Sequence, residues 1–148
     1  MYRKKSTCQY LSMTDKTPVT RTSAYSCVKS KHIVMPQHAN PNGLMFGGIL
    51  LAWIDMAAAM VAEKHSGMDV ATIHVEAVHF SSPILIGQHV SIEARLVKTG
   101  NTSMKIEVQV STEDAKSGTV TEATKAILTF VAVDHEMKPR TVPKLCDE

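Results

Sequence analysis

The sequence has few cysteines, and none of them is spaced for a metal site or a redox pair. Cys8, Cys27 and Cys146 are odd in number and far apart, which excludes a disulfide framework and a CxxC-type zinc motif. The seven histidines are scattered, so we predict no metal site. Because polar residues instead of an apolar stretch follow the basic run at 3–5, we expect no secretory signal and a cytoplasmic location.

Several nucleotide and hydrolase motifs are also missing. There is no GxSxG elbow, no P-loop and no GxGxxG, which excludes the serine-hydrolase, nucleoside-triphosphatase and Rossmann classes. Lys and Arg total 16 against 14 Asp and Glu, a balance that argues against a nucleic-acid binder. The one long apolar stretch has Asp55 at its middle, which costs about 2.5 to 3.5 kcal/mol in a bilayer. We therefore expect no membrane partner.

The 148 residues fit one domain of ordinary composition, 44% hydrophobic and 20% charged. Residues 1–22 are rich in Ser, Thr and Lys and lack a periodic apolar pattern, so we predict a flexible basic tail there. We expect the single folded domain to span 23–143 and a short C-terminal tail to span 144–148.

The apolar periodicity predicts the order β-α-β-β-β-β. Ala-, Leu- and Met-rich residues indicate one helix that ends in cations and Gly67. Alternating apolar residues indicate the strands. The predicted elements are a strand within 24–35, a helix over 47–65, a strand from 69 to Phe80 with a bulge near Ala77, a hairpin around 90–96 and 104–110, and a last strand over 119–133.

The helix is apolar almost all the way round, so it should be enclosed on most sides. One helix beside one antiparallel sheet satisfies this if the sheet curls around the helix, an α+β architecture of about five strands. We expect a second copy of the chain to cover the remaining side, with the sheets joined edge to edge across a two-fold axis.

Two chemical features meet in the segment HANPNGLMFGG and the helix that follows it. Gly47 and Gly48 open the helix, where unpaired N–H groups can hold a developing oxyanion. Asp55 is a carboxylate on an apolar helix, which suits a general base or a nucleophile. The two lie about 12 Å apart along the helix axis, so we expect Asp55 of one subunit to face the helix start of the other.

The stretches HANPNGLMFGGILLAWID, KTGNTS and TFVAVDHEMKPRTVP resemble bacterial acyl-CoA thioester hydrolases of the hotdog fold, related to cytosolic long-chain acyl-CoA hydrolase. The resemblance implies hydrolysis of acyl-CoA to free fatty acid and coenzyme A without a cofactor. It implies that Asn40 and Asp55 form a catalytic pair from opposite subunits, with the backbone of Gly47 and Gly48 polarising the thioester. It also implies a homodimer as the minimal unit, and further assembly as a hexamer of three dimers.

The resemblance further implies a coenzyme A groove. Its expected residues are Phe80, Ser81, Ser82 and Pro83 on one segment, and Gly100, Thr102 and Ser103 at a hairpin turn. Ser82 stands where the family has a basic residue before the proline, so one phosphate contact is missing. We expect Lys98, Lys105 or Arg140 to supply the charge instead.

Two other functions remain open from the sequence. A hotdog dehydratase acting on a hydroxyacyl thioester would need a catalytic histidine paired with the helix carboxylate, and His38 is the candidate. A non-catalytic coenzyme A ester-binding protein would keep the groove and use Asp55 only for packing.

Overall fold

The structure is a computed structural model that describes residues 20–146. It contains one long helix, one short 3-10 helix at Pro36–His38 and seven strands. The helix α1 spans Gly47–Ser66, and the strands are β1 Thr20–Thr22, β2 Cys27–Ile33, β3 Asp69–Phe80, β4 His89–Thr99, β5 Ser103–Glu113, β6 Val120–Val133 and β7 Lys144–Cys146.

A five-stranded antiparallel sheet in the order β2-β4-β5-β6-β3 packs against α1. Alternate residues of the central hairpin face the helix and are buried, as the period-two pattern predicted. Together with the apolar face of α1 they form one hydrophobic core. The expected α+β hotdog arrangement, with a sheet of five strands wrapped around one helix, is confirmed.

The helix begins at Gly47 as predicted and ends one residue later than expected, at Ser66. Gly67 follows it at φ 69 in the left-handed conformation and donates its N–H to the carbonyl of Glu63, which is the C-terminal arrangement that glycine favours. The predicted bulge in β3 is confirmed as well. Ala77 has a positive φ of 54, and the pairing register with β6 shifts between Glu76 and His79.

The folded region extends beyond the predicted range of 23–143 at both ends. Thr20–Thr22, which we assigned to the flexible tail, pairs in parallel with Lys144–Cys146, which we assigned to the C-terminal tail. Short strands like these carry too little periodicity to be recognised, because their pairing depends on residues more than 100 positions apart in sequence. Residues 1–19 of the predicted tail lie outside the described residues.

The outward side of α1 and the edge strand β3 are apolar and exposed in the single chain. Met56 and Met60 on the helix are 54% and 45% exposed, and Ile73 and Val75 on β3 are 58% and 40% exposed. This side of the helix has no cover within the described residues, and it is the side for which we expect a second copy of the chain. Among those residues, no helix is long and apolar enough to cross a lipid bilayer.

A buried histidine in the C-terminal turn of α1 contacts residues near both ends of the described chain. His65 is fully buried; the Ser26 hydroxyl donates to its Nδ1 at 2.7 Å, and its Nε2–H donates to the Pro143 carbonyl at 2.8 Å. Burial lowers the pKa of His65 below its usual 6.5, an effect that the bond to Pro143 partly offsets and the charge of Arg21 reinforces. The ring is therefore held neutral in the folded protein.

We expect the free energy of unfolding to fall as the pH is lowered below about 6.5. In that range the unfolded chain binds a proton at His65 that the folded chain does not, so protons favour unfolding. Above about pH 6.5 the contribution of His65 to the free energy of unfolding is complete. Urea unfolding at a series of pH values measures this effect. His65→Ala should lower stability by about 2 kcal/mol at neutral pH, because Ser26 and Pro143 lose their partner, and should flatten the pH dependence.

The exposed His135 provides the matched control. His135→Ala should leave both the stability and its pH dependence unchanged. A His65→Ala protein that keeps the pH dependence of the unaltered chain would show that another group causes it.

Candidate active site

Asn40 lies in a tight turn that leads from the 3-10 helix to α1. Its side-chain Oδ1 accepts hydrogen bonds from the backbone N–H groups of Asn42 at 2.9 Å and Leu44 at 3.1 Å. Since the oxygen is occupied in this way, the Nδ2 group is the part of the side chain that can donate to another group. Gly43 completes the turn at φ 77, a conformation that glycine favours.

The first turn of α1 carries unpaired N–H groups. Phe46 precedes the helix and forms no side-chain cap, and the first turn contains no acidic residue. Ile49 and Leu50 donate to the Phe46 carbonyl, whereas the amides of Gly47 and Gly48 have no acceptor among residues 20–146. These two amides, at the positive end of the helix dipole, can bind a negatively charged oxygen.

A cavity of about 310 Å³ opens beside this helix start. Its lining contains no charged residue and consists of Leu44, Met45, Gly47, Leu50, Phe80, Ser81, Ser82, Pro83 and Ile84. A methyl group on Gly47 would lie 3.5 Å from Cζ of Phe80, so the backbone of Gly47 sits directly against that ring. The structure thus brings together two of the predicted groups, the helix-start glycines and the Phe80–Pro83 segment.

Asp55 projects from α1 toward β3. Its Oδ1 accepts a hydrogen bond of 2.9 Å from the hydroxyl of Thr72, and its side chain is half-buried. This hydrogen bond fixes the orientation of the carboxylate, and its second oxygen, Oδ2, is available for other contacts. Thr72 was not among the residues predicted from the sequence, because a threonine in a strand is ordinary and only the fold places it beside Asp55.

Within one chain, Asp55 and the helix start do not form one site. Asp55 follows Gly47 by two helical turns, and it does not line the cavity beside Gly47. Asp55 instead lies on the side of the helix next to the exposed edge strand β3. Gly47 and Asp55 are therefore separated along the helix in the fold, as the helical rise predicts.

The second half of the predicted coenzyme A groove is the turn at Gly100–Ser103. Within one chain this turn lies far from the first half, the Phe80–Pro83 segment. Phe80 pairs with Thr124, whereas Ser103 pairs with Val131, and seven residues of β6 separate these positions by about 23 Å. Gly100 donates to the Ser103 carbonyl at 2.8 Å, and a Cβ on Gly100 would lie 2.5 Å from Oγ of Ser103. A side chain at position 100 would therefore require the Ser103 hydroxyl to rotate away. The Thr102 carbonyl accepts a hydrogen bond from the Ala132 N–H.

The three candidate cations differ in what they contact. Lys105 is 3.0 Å from Glu76, and this hydrogen bond and charge lower the pKa of the Glu76 carboxyl. Arg140 is 2.6 Å from Asp134, whose pKa is lowered first by the backbone N–H of Lys138 and also by Arg140. Lys98 is exposed and has no partner among residues 20–146. It is the candidate that can bind an anion without first losing an ion pair.

His38, the histidine required by the dehydratase alternative, has other contacts. Its Nδ1 accepts the backbone N–H of Met35 at 3.0 Å, and its ring lies edge-on against Trp53 with centroids 5.0 Å apart. In the described chain its contacts do not include the Asp55 carboxylate. The part of the chain that the structure describes also holds no group of three or more potential metal ligands.

Comparison with known proteins shows extensive similarity. A model of the Thioesterase superfamily matches residues 42–119. The acyl-CoA thioester hydrolase YciA of Escherichia coli is 37% identical over 114 residues, covering 75% of this chain and 86% of that protein. A hexameric thioesterase of Yersinia pestis has a TM-score of 0.73 and 36% identity, covering 78% of this chain and 93% of that one.

An acyl-CoA hydrolase of Staphylococcus aureus, solved in complex with butyryl coenzyme A and coenzyme A, has a TM-score of 0.82 and 36% identity over 87% of this chain and 79% of that one. Alanine variants of that protein at an aspartate, a threonine and an asparagine are similar to this chain with TM-scores of 0.82, 0.81 and 0.84. With the family model matching more than half of its residues and these relatives covering most of its length, the chain belongs to the Thioesterase superfamily and has its hotdog fold.

Proposed function

We propose that the protein is an acyl-CoA thioesterase that hydrolyses acyl-CoA to a free fatty acid and coenzyme A. The activity of its relatives supports the reaction, since proteins 36–37% identical to this chain are acyl-CoA hydrolases. The observation that carries the proposal is the Asp55 carboxylate, which an apolar helix presents and Thr72 orients at 2.9 Å.

The spacing of three polar residues supports the same role. Asp55 follows Asn40 by 15 residues and precedes Thr72 by 17. In the Staphylococcus aureus hydrolase, the positions replaced by alanine are an asparagine, an aspartate 15 residues later and a threonine 17 residues after that. We therefore propose that Asn40, Asp55 and Thr72 belong to one site, with Thr72 added to the residues that the sequence suggested.

In the proposed reaction the thioester carbonyl oxygen binds to the amides of Gly47 and Gly48. As the carbonyl carbon becomes tetrahedral, negative charge grows on that oxygen, and fixed donors at a helix start stabilise it. Asp55 either removes a proton from the attacking water or attacks the carbon itself to give an anhydride that water then cleaves. The thiolate of coenzyme A leaves in both cases, and Asn40 Nδ2 orients the water or the substrate.

A homodimer unites these groups. The exposed edge of β3 and the apolar side chains of Ile73, Val75, Met56 and Met60 are the surface that a second copy would cover. An antiparallel β3–β3 junction would bring Asp55 of one chain to the helix start of the other. It would also carry the Gly100–Ser103 turn of one chain toward the Phe80–Pro83 segment of its partner. The hexameric relative in Yersinia pestis supports further assembly into a hexamer, which we propose is built from three dimers.

The groove of the dimer would hold coenzyme A. The uncharged cavity lined by Phe80–Pro83 suits the pantetheine arm, and the turn with Gly100, Thr102 and Ser103 would lie near the nucleotide. Lys98 is the cation proposed to contact a phosphate, because Lys105 and Arg140 already pair with carboxylates. No cofactor is required, and the setting proposed for the reaction is the cytoplasm.

Thiol release from a panel of acyl-CoAs of increasing chain length, followed with a thiol reagent, tests the proposal. We expect each productive turnover to release one equivalent of coenzyme A and one of free acid. Formation of an enoyl product without thiol would favour the dehydratase with His38. Tight binding of coenzyme A without turnover of any member of the panel would favour the non-catalytic binding protein.

A further inference from the structure

One tryptophan lies between two histidines at the base of the Asn40 turn. Trp53 is the only tryptophan in the chain. Its ring stacks on His32 of β2, with centroids 4.5 Å apart and planes 23° apart, and meets the edge of His38 at 5.0 Å and 82°. Trp53 also packs against the hydrophobic core from α1. The ring of His38 is thus held against a rigid part of the fold.

His38 in turn contacts both ends of the segment that carries Asn40. At one end its Nδ1 accepts the Met35 N–H at 3.0 Å, and its own N–H donates to the Met35 carbonyl at 2.9 Å. At the other end its carbonyl accepts the N–H of Phe46, the residue that precedes α1, at 2.9 Å. A single residue therefore closes the loop from 35 to 46.

The groups proposed for catalysis come directly after these two contact points in the sequence. Asn40 lies two residues after His38, and Gly47 lies one residue after Phe46. Inside the loop, Ala39 bridges to Met45 and Asn40 donates to the Leu44 carbonyl at 2.8 Å. The contacts of His38 and these contacts within the loop together set the distance between the Asn40 amide and the helix-start amides.

We infer that His38 is a positioning residue that fixes the Asn40 turn relative to the amides of Gly47 and Gly48. It does so through its Nδ1 and its carbonyl, with Trp53 holding the ring in place. This inference rests on the proposed function for its kinetic effect, and it has a structural effect that does not depend on activity. Displacement of a catalytic group by about 1 Å can cost about 100-fold in rate.

His38→Ala and His38→Asn form the matched pair of variants. The Oδ1 of asparagine stands two bonds from Cβ, as Nδ1 of histidine does, so it can accept the Met35 N–H. We expect His38→Ala to lower kcat by about 10- to 100-fold, with the Kd for coenzyme A changed by less than about threefold. His38→Asn should be at least about fivefold faster than His38→Ala. His135→Ala, at an exposed site far along the chain, should have the same kcat and the same Kd for coenzyme A as the unaltered protein.

Amide hydrogen exchange gives the readout that is independent of turnover. In His38→Ala the amides of Asn40 and Phe46 should exchange at least about tenfold faster, while amides in the centre of β5 keep their protection. If the unaltered protein releases no thiol, the proposed function fails and exchange alone decides the inference. Unchanged exchange in His38→Ala, a kcat within twofold of the unaltered protein, or a His38→Asn variant as slow as His38→Ala would each overturn it.

Discussion

Asp55→Ala is expected to lower kcat for acyl-CoA hydrolysis by about 1,000-fold or more. The substitution removes the only carboxylate on the apolar part of α1, and with it both the proton acceptor and the nucleophile of the proposed reaction. Coenzyme A binding should change little, because the proposed contacts of coenzyme A are the Phe80–Pro83 segment and the turn at Gly100–Ser103, whereas Asp55 acts at the thioester carbon. Initial rates of thiol release, with product affinity measured by calorimetry, provide the test.

Two further variants separate chemistry from packing. Asp55→Asn keeps the size of the side chain and an oxygen that can accept from Thr72, but it cannot take a proton or attack carbon, so it should be nearly as inactive as Asp55→Ala. Thr72→Val removes the 2.9 Å hydrogen bond and should cost about tenfold in kcat, with Thr72→Ser recovering most of the loss.

Asp69 is the control for the loss of a negative charge, because it is an exposed carboxylate at the start of the same strand as Thr72. Asp69→Ala should retain full activity. An Asp55→Asn protein that turns over at a normal rate would contradict the proposed mechanism and would favour a structural role for the carboxylate.

The sequence was sufficient to predict the elements that depend on local pattern. Gly47, Gly48 and Gly67 mark the ends of α1, and alternation identified the hairpin of β4 and β5, because helix ends and half-buried strands are encoded by neighbouring residues. Asp55 could be identified for the same reason, since a carboxylate within an apolar run is unusual in any context.

Features that depend on distant residues could not be predicted. The pairing of Thr72 with Asp55 requires the register between helix and strand, and the pairing of Lys105 with Glu76 requires the register between β5 and the edge strand. The buried contact from Ser26 to His65 likewise joins positions 39 residues apart. Only the fold brings such pairs together, so neither an isolated threonine nor an isolated lysine carried a recognisable signal.

Two inactive variants are expected to restore each other when they share a dimer. Asn40→Asp keeps an oxygen for the amides of Asn42 and Leu44 but loses the Nδ2 donor, and Asp55→Ala loses the carboxylate. If each site takes Asn40 from one chain and Asp55 from its partner, random mixing gives an intact site in about a quarter of cases. Equimolar coexpression of the two variants should therefore recover about a quarter of the activity per subunit.

The expected recovery of activity follows from the positions of Asp55 and Gly47 within one chain. The cavity at Gly47 excludes Asp55, and the carboxylate faces the exposed β3 edge, so a site confined to one subunit would give no recovery at all. The separately purified variants, mixed without exchange of subunits, should stay inactive and serve as the control. Absence of recovery in coexpressed, verified mixed dimers would contradict the shared site, and full activity of Asn40→Asp alone would remove Asn40 from it. Recovery near a quarter would instead require that one chain supply the Asp55 carboxylate and the other the Asn40 side chain of the same site.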